Sequence, residues 1–445
     1  MREGKSLFSP YDGFRFSSFL GFGRMEKTRD RVFYGWWVVI ALTVIEMFGS
    51  MGRYSMTAFF PFISSEFGWP RSLIGSAQSM NLWVYGLVVP LSGWMVDHVG
   101  SRKTFLVGGA AFLASWILLS TINVSWKLFI FYGLIMGITV SMIHMVPIQA
   151  TANKWFRRRA GLVSGIASAA FGVGVAVFMP LITHMANSLG WRVTSVIYGT
   201  SAGITIMILA FYIIRDTPES IGLHPDDEVF NHKKQNGESA EIGMSTKEAM
   251  QTKAFWILFI AYSLVGIPMQ GMLAHLVIWG VDTGASKALA GAYITAMFLP
   301  SVASKIGGGW LGDQFGKKRV IIISQLCCVF LMVWAWQSVY TSNSLKAFSI
   351  LIGLGYGVPM GLFAPYLVEL FGRANVGALL GILTLGHGLI GGSGPLLWGY
   401  IFDRYGNYNI ACLISAACYL VIAVAVSFIG SSTQKESALV MVQRL

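Results

Sequence analysis

Glu46, Arg53, Lys305 and His387 are ionisable residues set inside long apolar stretches of the sequence. In a hydrocarbon medium such a side chain costs about 2.5–3.5 kcal/mol on insertion scales, so each requires a partner or a function. Arg53, Lys305 and, when protonated, His387 are cations suited to hold an anion where the dielectric is low. Glu46 is the one acid expected inside a span away from its ends, and with His387 it is a group able to carry a proton. Glu46 and Arg53 are seven residues apart, so on an α-helix they share a face with their Cα atoms roughly 10 Å apart in rise. A direct bridge between them requires both side chains to be extended. Asn81 and Tyr85, together with Gln78, Gln149, Gln270, Tyr356 and Tyr366, are polar enough to line a path. His144 and His275 read as packing or gating residues. No nucleophile elbow, HExxH or CxxC pair accompanies these groups, and no Walker loop is present, so neither an enzyme, a cofactor, a metal nor ATP drive is expected. The four cysteines, Cys327, Cys328, Cys412 and Cys418, lie in apolar segments as small packing residues.

The elements that must position these groups are membrane spans. The chain is 55% hydrophobic and 12% charged, with mean hydropathy +0.62, whereas a soluble chain is about 25% charged. A window of about 20 apolar residues places helices near 34–62, 72–93, 103–122, 127–151, 160–184 and 191–214. A second set follows near 254–280, 287–310, 319–340, 346–369, 376–400 and 407–430. The net charge of +12 is a matter of topology and not of nucleic-acid binding. Arg102 and Lys103, Lys154 with Arg157, Arg158 and Arg159, Lys317 with Lys318 and Arg319, and Arg373 mark one set of loops as cytoplasmic. The opposite loops carry only Arg71, Lys127, Arg192, Lys287, Lys346 and Arg404, which puts both termini in the cytoplasm of a cell (inner) membrane protein. Trp36, Trp37, Trp69, Trp126 and Trp191 fall at span ends as interfacial anchors. The expected organisation is a cytoplasmic tail over 1–31, a six-helix bundle over 32–214, a central loop over 215–253, a second bundle over 254–430 and a tail over 431–445. Residues 1–24 are expected to be disordered, with Met25 as an alternative start.

One short stretch occurs twice. Gly93-Trp94-Met95-Val96-Asp97-His98-Val99-Gly100-Ser101-Arg102-Lys103 returns as Gly309-Trp310-Leu311-Gly312-Asp313-Gln314-Phe315-Gly316-Lys317-Lys318-Arg319. Each copy has glycines that let two helices approach and turn, an Asp that caps a helix start or pairs with a cation, and a basic cluster. The offset between copies is 216 positions. It also pairs Gly161 with Gly377, Gly165 with Gly381, Gly172 with Gly388 and Gly190 with Gly406. This is a two-fold internal duplication of the parallel kind.

The twice-repeated loop resembles the signature of the major facilitator superfamily, over roughly residues 32–430. The resemblance implies an all-α membrane protein, with twelve transmembrane helices in two pseudo-symmetric six-helix bundles working by alternating access. The repeated loops, with Gly93, Asp97, Gly100, Arg102, Gly309, Asp313, Gly316 and Lys317, are then its conformational gating loops. Gly35-Trp36-Trp37-Val38-Val39, Phe67-Gly68-Trp69-Pro70-Arg71-Ser72 and Lys154-Trp155-Phe156-Arg157-Arg158-Arg159-Ala160-Gly161 look like the monocarboxylate porter and oxalate–formate antiporter branch, as does Arg215-Asp216-Thr217-Pro218-Glu219 at the start of the central loop. That branch implies an Arg where Lys305 stands, binding a substrate carboxylate. Lys is a point charge without the bidentate fork of Arg, so the departure alters substrate geometry and keeps its sign. Eukaryotic relatives place a proton-coupling Asp where this chain has Ser301. The oxalate–formate antiporters carry a Lys in the region of His387. The implied function is secondary active transport of a small organic anion, a monocarboxylate or short dicarboxylate, proton-coupled or by anion exchange, in a monomer embedded in the lipid bilayer. The substrate sites are then Arg53, Lys305, His387, Tyr85 and Asn81, and the proton-coupling groups Glu46 and His387. Two other readings stay open: an exporter of amphipathic drugs or metabolites using Glu46 and a Met- and Phe-rich cavity, and a non-transporting membrane sensor.

Overall fold

The computed structural model describes residues 33–156, 159–225, 243–339, 341–372 and 375–430. Both expected tails, the acidic part of the central loop (Asp226, Asp227, Glu228, Glu238, Glu241), Arg157, Arg158 and Arg373 lie outside them. Among the described residues twelve long helices follow one another: α1 (Tyr34–Phe67), α2 (Arg71–His98), α3 (Ser101–Ser120), α4 (Ser125–Trp155), α5 (Ala160–Leu189), α6 (Trp191–Tyr212), α7 (Lys253–Asp282), α8 (Lys287–Phe315), α9 (Lys317–Ser338), α10 (Ser342–Phe371), α11 (Val376–Tyr405) and α12 (Asn409–Ser427). Among the described residues the one extended pairing is an isolated bridge between Gly243 and Gly372. The all-helical expectation therefore holds.

Eleven of the twelve are long and apolar enough to cross a membrane. The exception is α2, whose 28 residues reach the length. Its hydropathy is lowered by Gln78, Ser79, Asn81, Tyr85 and Ser92, all of them buried against neighbouring helices. The outward faces are apolar: Leu299, Ile306, Phe330 and Phe428 are more than three-fifths exposed, as a lipid solvent requires.

The duplication is written in the backbone. Three pairs of connecting glycines, each pair at the offset of 216, all adopt positive φ: Gly68 and Gly284 (63° and 91°), Gly100 and Gly316 (100° and 88°), Gly190 and Gly406 (84° and 71°). An L side chain is strained there, and glycine turns the chain into the next antiparallel helix. Helices pack closely through small residues, as Gly199 does on Trp116 and Gly271 on Trp398.

Two helices expected to be continuous are interrupted. In α4 a wide-turn stretch over Leu128–Met136 gives way to Gly137–Ile143, and the helix then breaks at His144, whose backbone is extended (φ −117°, ψ 173°). A π-type widening costs regular hydrogen bonding and recurs at functional sites. In α11 a tight turn over Gly391–Ser393 separates Val376–Leu389 from Gly394–Tyr405. The glycines of this break let α11 lie directly on α7: a Cβ on Gly391 would meet the Gly266 backbone. Trp191 is also not the exposed anchor its position suggests, because it is buried and donates to Glu66 Oε2 at 2.7 Å.

Candidate functional site

Midway along α1 the sequence Arg53-Tyr54 faces the middle of the helix assembly. The Arg53 guanidinium lies 4.8 Å from the ring centroid of Tyr85 on α2 and 5.8 Å from that of Tyr54. Its backbone carbonyl accepts from Tyr132 of the widened α4 turn at 2.8 Å. Its Nε has no hydrogen-bond partner, and no carboxylate pairs with it among the described residues. The rings of Tyr54 and Tyr85 are what face its charge. Aromatic faces stabilise a cation, but they leave the N–H fork of the guanidinium free for a planar anion.

A polar chain runs from this point across the two sequence halves. Tyr54 Oη donates to Gln270 Oε1 of α7 at 3.1 Å, and Gln270 Nε2 donates to His387 Nε2 of α11 at 3.4 Å. His387 Nδ1–H in turn donates to the Tyr262 carbonyl at 3.1 Å. Tyr54 and Gln270 occupy equivalent places in the duplicated chain, 216 positions apart. Both nitrogens of His387 are occupied, so in this conformation its ring is neutral and tied to α7. Gly386 and Gly388 permit that approach: Gly386 sits against Phe259 and Ser263, and Gly388 against Gly86 of α2.

Glu46 does not bridge to Arg53. One helical turn after another separates the two side chains, and a nearer partner comes from the break in α4: His144 Nδ1 lies 2.5 Å from Glu46 Oε1. Glu46 is fully buried and His144 is 2% exposed. The contact is a close approach of two ionisable groups without hydrogen-bond angles, so both Glu46 oxygens and Nδ1 have no hydrogen-bond partner. The His144 ring stacks obliquely between Tyr85 (5.5 Å between centroids) and Phe171 of α5 (5.3 Å). Thus Tyr85 touches both the Arg53 cation and the Glu46–His144 pair.

The other candidates are distributed more widely. Asn81 is buried and donates to the Tyr132 carbonyl at 2.8 Å, which satisfies a backbone group freed by the wide turn; its Oδ1 has no partner. Lys305 of α8 is half-buried, and no ion pair or hydrogen bond of its ammonium is present among the described residues. Among the described residues no hydrogen bond, ion pair or cation–ring contact joins it to the Arg53 cluster. In the repeated loops, Asp97 pairs with Lys154 at 3.1 Å, and Asp313 lies 3.8 Å from Lys317, which also reaches Glu369 at 3.1 Å. The Arg102 guanidinium covers Phe211 at 4.6 Å. The helix cap that Asp97 was suited to make is made instead by Asp216, whose Oδ1 accepts from the Arg102 N–H at 2.9 Å. Gly93 rests near Val146, and Gly309 has open space beside it.

Three participants escape a reading of the sequence alone: His144 as the partner of Glu46, Tyr54 and Tyr262. An aromatic residue on an apolar helix has no periodic signature, and the α4 break that aims His144 inward is a tertiary feature.

The profile of the Major Facilitator Superfamily matches residues 42–291 and 269–440. The oxalate:formate antiporter of Oxalobacter formigenes is 24% identical over 387 residues, spanning 85% of this chain and 88% of its own. Monocarboxylate transporter 2 of Mesocricetus auratus is 24% identical over 413 residues, spanning 89% and 84%. The solved structure of a bacterial homologue of the human lysosomal transporter Spinster, inward-facing and occupied, superposes with a TM-score of 0.69 at 14% identity, covering 92% of this chain and 97% of that one. These matches, the twelve helices and the duplicated loops place this chain in the Major Facilitator Superfamily, as a multi-pass membrane transporter.

Proposed function

We propose that the protein carries a small organic anion, a monocarboxylate or short dicarboxylate, by alternating access of two six-helix bundles (32–214 and 254–430), proton-coupled or by exchange. The observation that carries this reading is Arg53: a guanidinium in the helix core with a free Nε and no acidic partner among the described residues. An uncompensated charge at that depth is costly, and a carboxylate substrate supplies the missing countercharge together with planar, two-point hydrogen bonding. Tyr85 forms the floor of this subsite. Lys305 and His387 are second partners for a dicarboxylate once the bundles rearrange, because His387 is otherwise held by Gln270 and Tyr262. The names of the oxalate:formate and monocarboxylate relatives agree in substrate class. The basic loops favour a topology with both termini on the cytoplasmic side of a cell (inner) membrane, and the proposed working unit is a monomer. An exporter of cationic drugs requires a free buried acid, and Glu46 is engaged by His144.

Purified protein in proteoliposomes tests this by counterflow of labelled oxalate, formate, lactate and pyruvate. At least one of these anions is expected to exchange. Arg53→Gln is expected to reduce that exchange about tenfold or more, and Arg53→Lys less so, since a lysine keeps the charge and loses the fork. Normal exchange in Arg53→Gln would assign the anion to another site.

A further inference from the structure

Glu46 and His144 form a pair for which anion binding alone gives no use. Both are ionisable, both are buried, and they meet at 2.5 Å in the interior of a membrane protein. Neither carboxylate oxygen has a hydrogen-bond donor, nor has Nδ1 a hydrogen-bond partner. A packing pair would be expected to satisfy these atoms, since a buried acceptor left unpaired is destabilising. His144 reaches Glu46 only because α4 breaks at that residue.

We propose that Glu46 and His144 together hold a single exchangeable proton, and that its binding is coupled through Tyr85 to anion binding at Arg53. This rests on the carrier reading above and adds the residues that couple it to protons. With the proton bound, the pair is neutral overall, whether the proton sits on the carboxyl or on the imidazole. Without it, the pair carries one net negative charge, and Arg53, across the shared Tyr85 ring, is the cation that faces it. The groups facing the pair support this count. Arg53 and Tyr54 come from α1, Tyr85 from α2, and Tyr132 from α4, spent on the Arg53 carbonyl. The α5 face is Phe171, and Tyr198 of α6 donates to the Phe48 carbonyl. His387 of α11 is tied to Gln270 of α7 and Tyr262. Among the described residues, Arg53 is the permanent charge that these contacts bring to the pair, through Tyr85. While the site is empty, Arg53 stabilises the deprotonated pair. An incoming carboxylate neutralises Arg53 and withdraws that support, so the pair takes up a proton. By linkage the protonated pair favours the anion equally. One proton and one carboxylate load together, and no bond forms other than N–H or O–H.

The test begins with unmodified protein in weakly buffered detergent solution containing a pH-indicator dye. Sodium oxalate and sodium lactate are titrated in, with binding followed separately by calorimetry. We expect about one proton taken up per anion bound. Binding without proton uptake overturns this inference and leaves the carrier reading intact, whereas absence of binding overturns both. Glu46→Gln and His144→Gln are each expected to bind the anion without proton uptake. The double variant is expected to behave as either single one, because they share a single proton. Undiminished uptake in either single variant, or uptake lost only in His387→Gln, overturns the assignment. A role confined to packing would leave the unmodified protein with no substrate-linked proton at all. That stoichiometry therefore decides the matter even if Glu46→Gln fails to fold.

Discussion

The duplicated chain places two equivalent corners at the end of the molecule away from the repeated loops, and they are built differently. At one corner Arg71, the first residue of α2, reaches into the second half. Its guanidinium forks onto Asp282 Oδ2 and Oδ1 at 2.6 and 2.7 Å, donates to Tyr408 Oη at 2.5 Å, and lies 3.5 Å from the Phe402 centroid. The N–H groups of Arg71 and Ser72 are capped by Asp403 Oδ1 and Oδ2 at 2.9 and 2.7 Å. The offset of 216 maps Arg71 onto Lys287 and Asp282 onto Glu66. The second corner should then hold a Lys287–Glu66 bridge. It does not: Lys287 reaches Ser65 Oγ at 3.2 Å, and Glu66 is taken by Arg192 at 2.6 Å and Trp191 at 2.7 Å within its own half.

A single equivalent position explains the divergence. Arg192 corresponds to Tyr408. A cation there competes for the acid and turns it inward. A phenol cannot do so. Tyr408 instead accepts from Arg71 and donates to His275 Nδ1 at 3.0 Å, while His275 Nε2–H donates to the Pro395 carbonyl at 2.9 Å. Burial pushes the Tyr408 phenol up from its usual range, so it keeps the proton this chain of bonds uses. The duplication supplied matched geometry, and one side chain decided which corner ties the halves together. At the loop end, by contrast, the ion pairs of the described residues stay within one half: Lys154 with Asp97, and Lys317 with Glu369. The molecule in this conformation is fastened at the Arg71 end. Under the proposed topology, that is the outer face.

The comparison breaks most sharply at Arg71. Arg71→Gln removes the fork and leaves Asp282 without its cation. Charge-assisted hydrogen bonds contribute about 1.5–3 kcal/mol each to what they close, and a shift of 1.36 kcal/mol is a factor of ten. The population opened at this end is expected to rise about tenfold or more. Distances between spin labels at Leu189 and Tyr405, exposed residues of the two halves at that end, would report it. An unchanged distance distribution would mean that apolar packing alone closes this face.

The repeated loops diverge in the same way, and two glycines measure by how much. Gly100 and Gly316 both combine positive φ with an extended ψ (149° and 130°), a region nearly confined to glycine, so an alanine at either costs about 1–3 kcal/mol in backbone strain. At Gly100 the added Cβ would also come 2.7 Å from Asp216 Oδ1, which caps α3, whereas beside Gly316 there is open space. Gly100→Ala should therefore lower the melting temperature clearly more than Gly316→Ala. Equal losses would show that Asp216 moves aside at no cost.

How much of this could be read in the sequence depends on whether a residue's role is local. The twelve spans, the repeat and the turn glycines were legible, because hydropathy and φ are local properties and the copies confirm each other. Arg53, Glu46 and His387 were found because an ionisable group among apolar neighbours stands out. Their partners are not: Glu46 shares a helix face with Arg53, but the α4 break delivers His144 from another helix. Asp216 looked like the start of a linker and turned out to cap α3. Arg71 reads as an ordinary loop charge, and nothing local distinguishes it and Asp282 from Lys287 and Glu66.

The smallest effect expected is also the finest test of the corner argument. If Arg192 is what keeps Glu66 from Lys287, then Arg192→Tyr, which copies Tyr408 into the first half, should release the acid. Glu66 loses its 2.6 Å partner, keeps Trp191, and faces Lys287, whose ammonium already reaches the adjacent Ser65. Both groups are substantially exposed, so a new bridge there contributes only about 0.2–1 kcal/mol. A double-mutant cycle of Glu66→Gln with Lys287→Gln, read on the same label distances, should give a coupling near zero in the native background. In Arg192→Tyr it should give a coupling within that range, and the gain should vanish in high salt because exposed pairs are screened. Overall stability should fall, since Arg192 also donates to the Ile122 carbonyl at 3.0 Å and covers Trp191. That loss appears in every arm of the cycle and cancels. A coupling that stays at zero in Arg192→Tyr would mean that the side-chain lengths, Lys against Arg and Glu against Asp, and not the competing cation, set the difference between the corners.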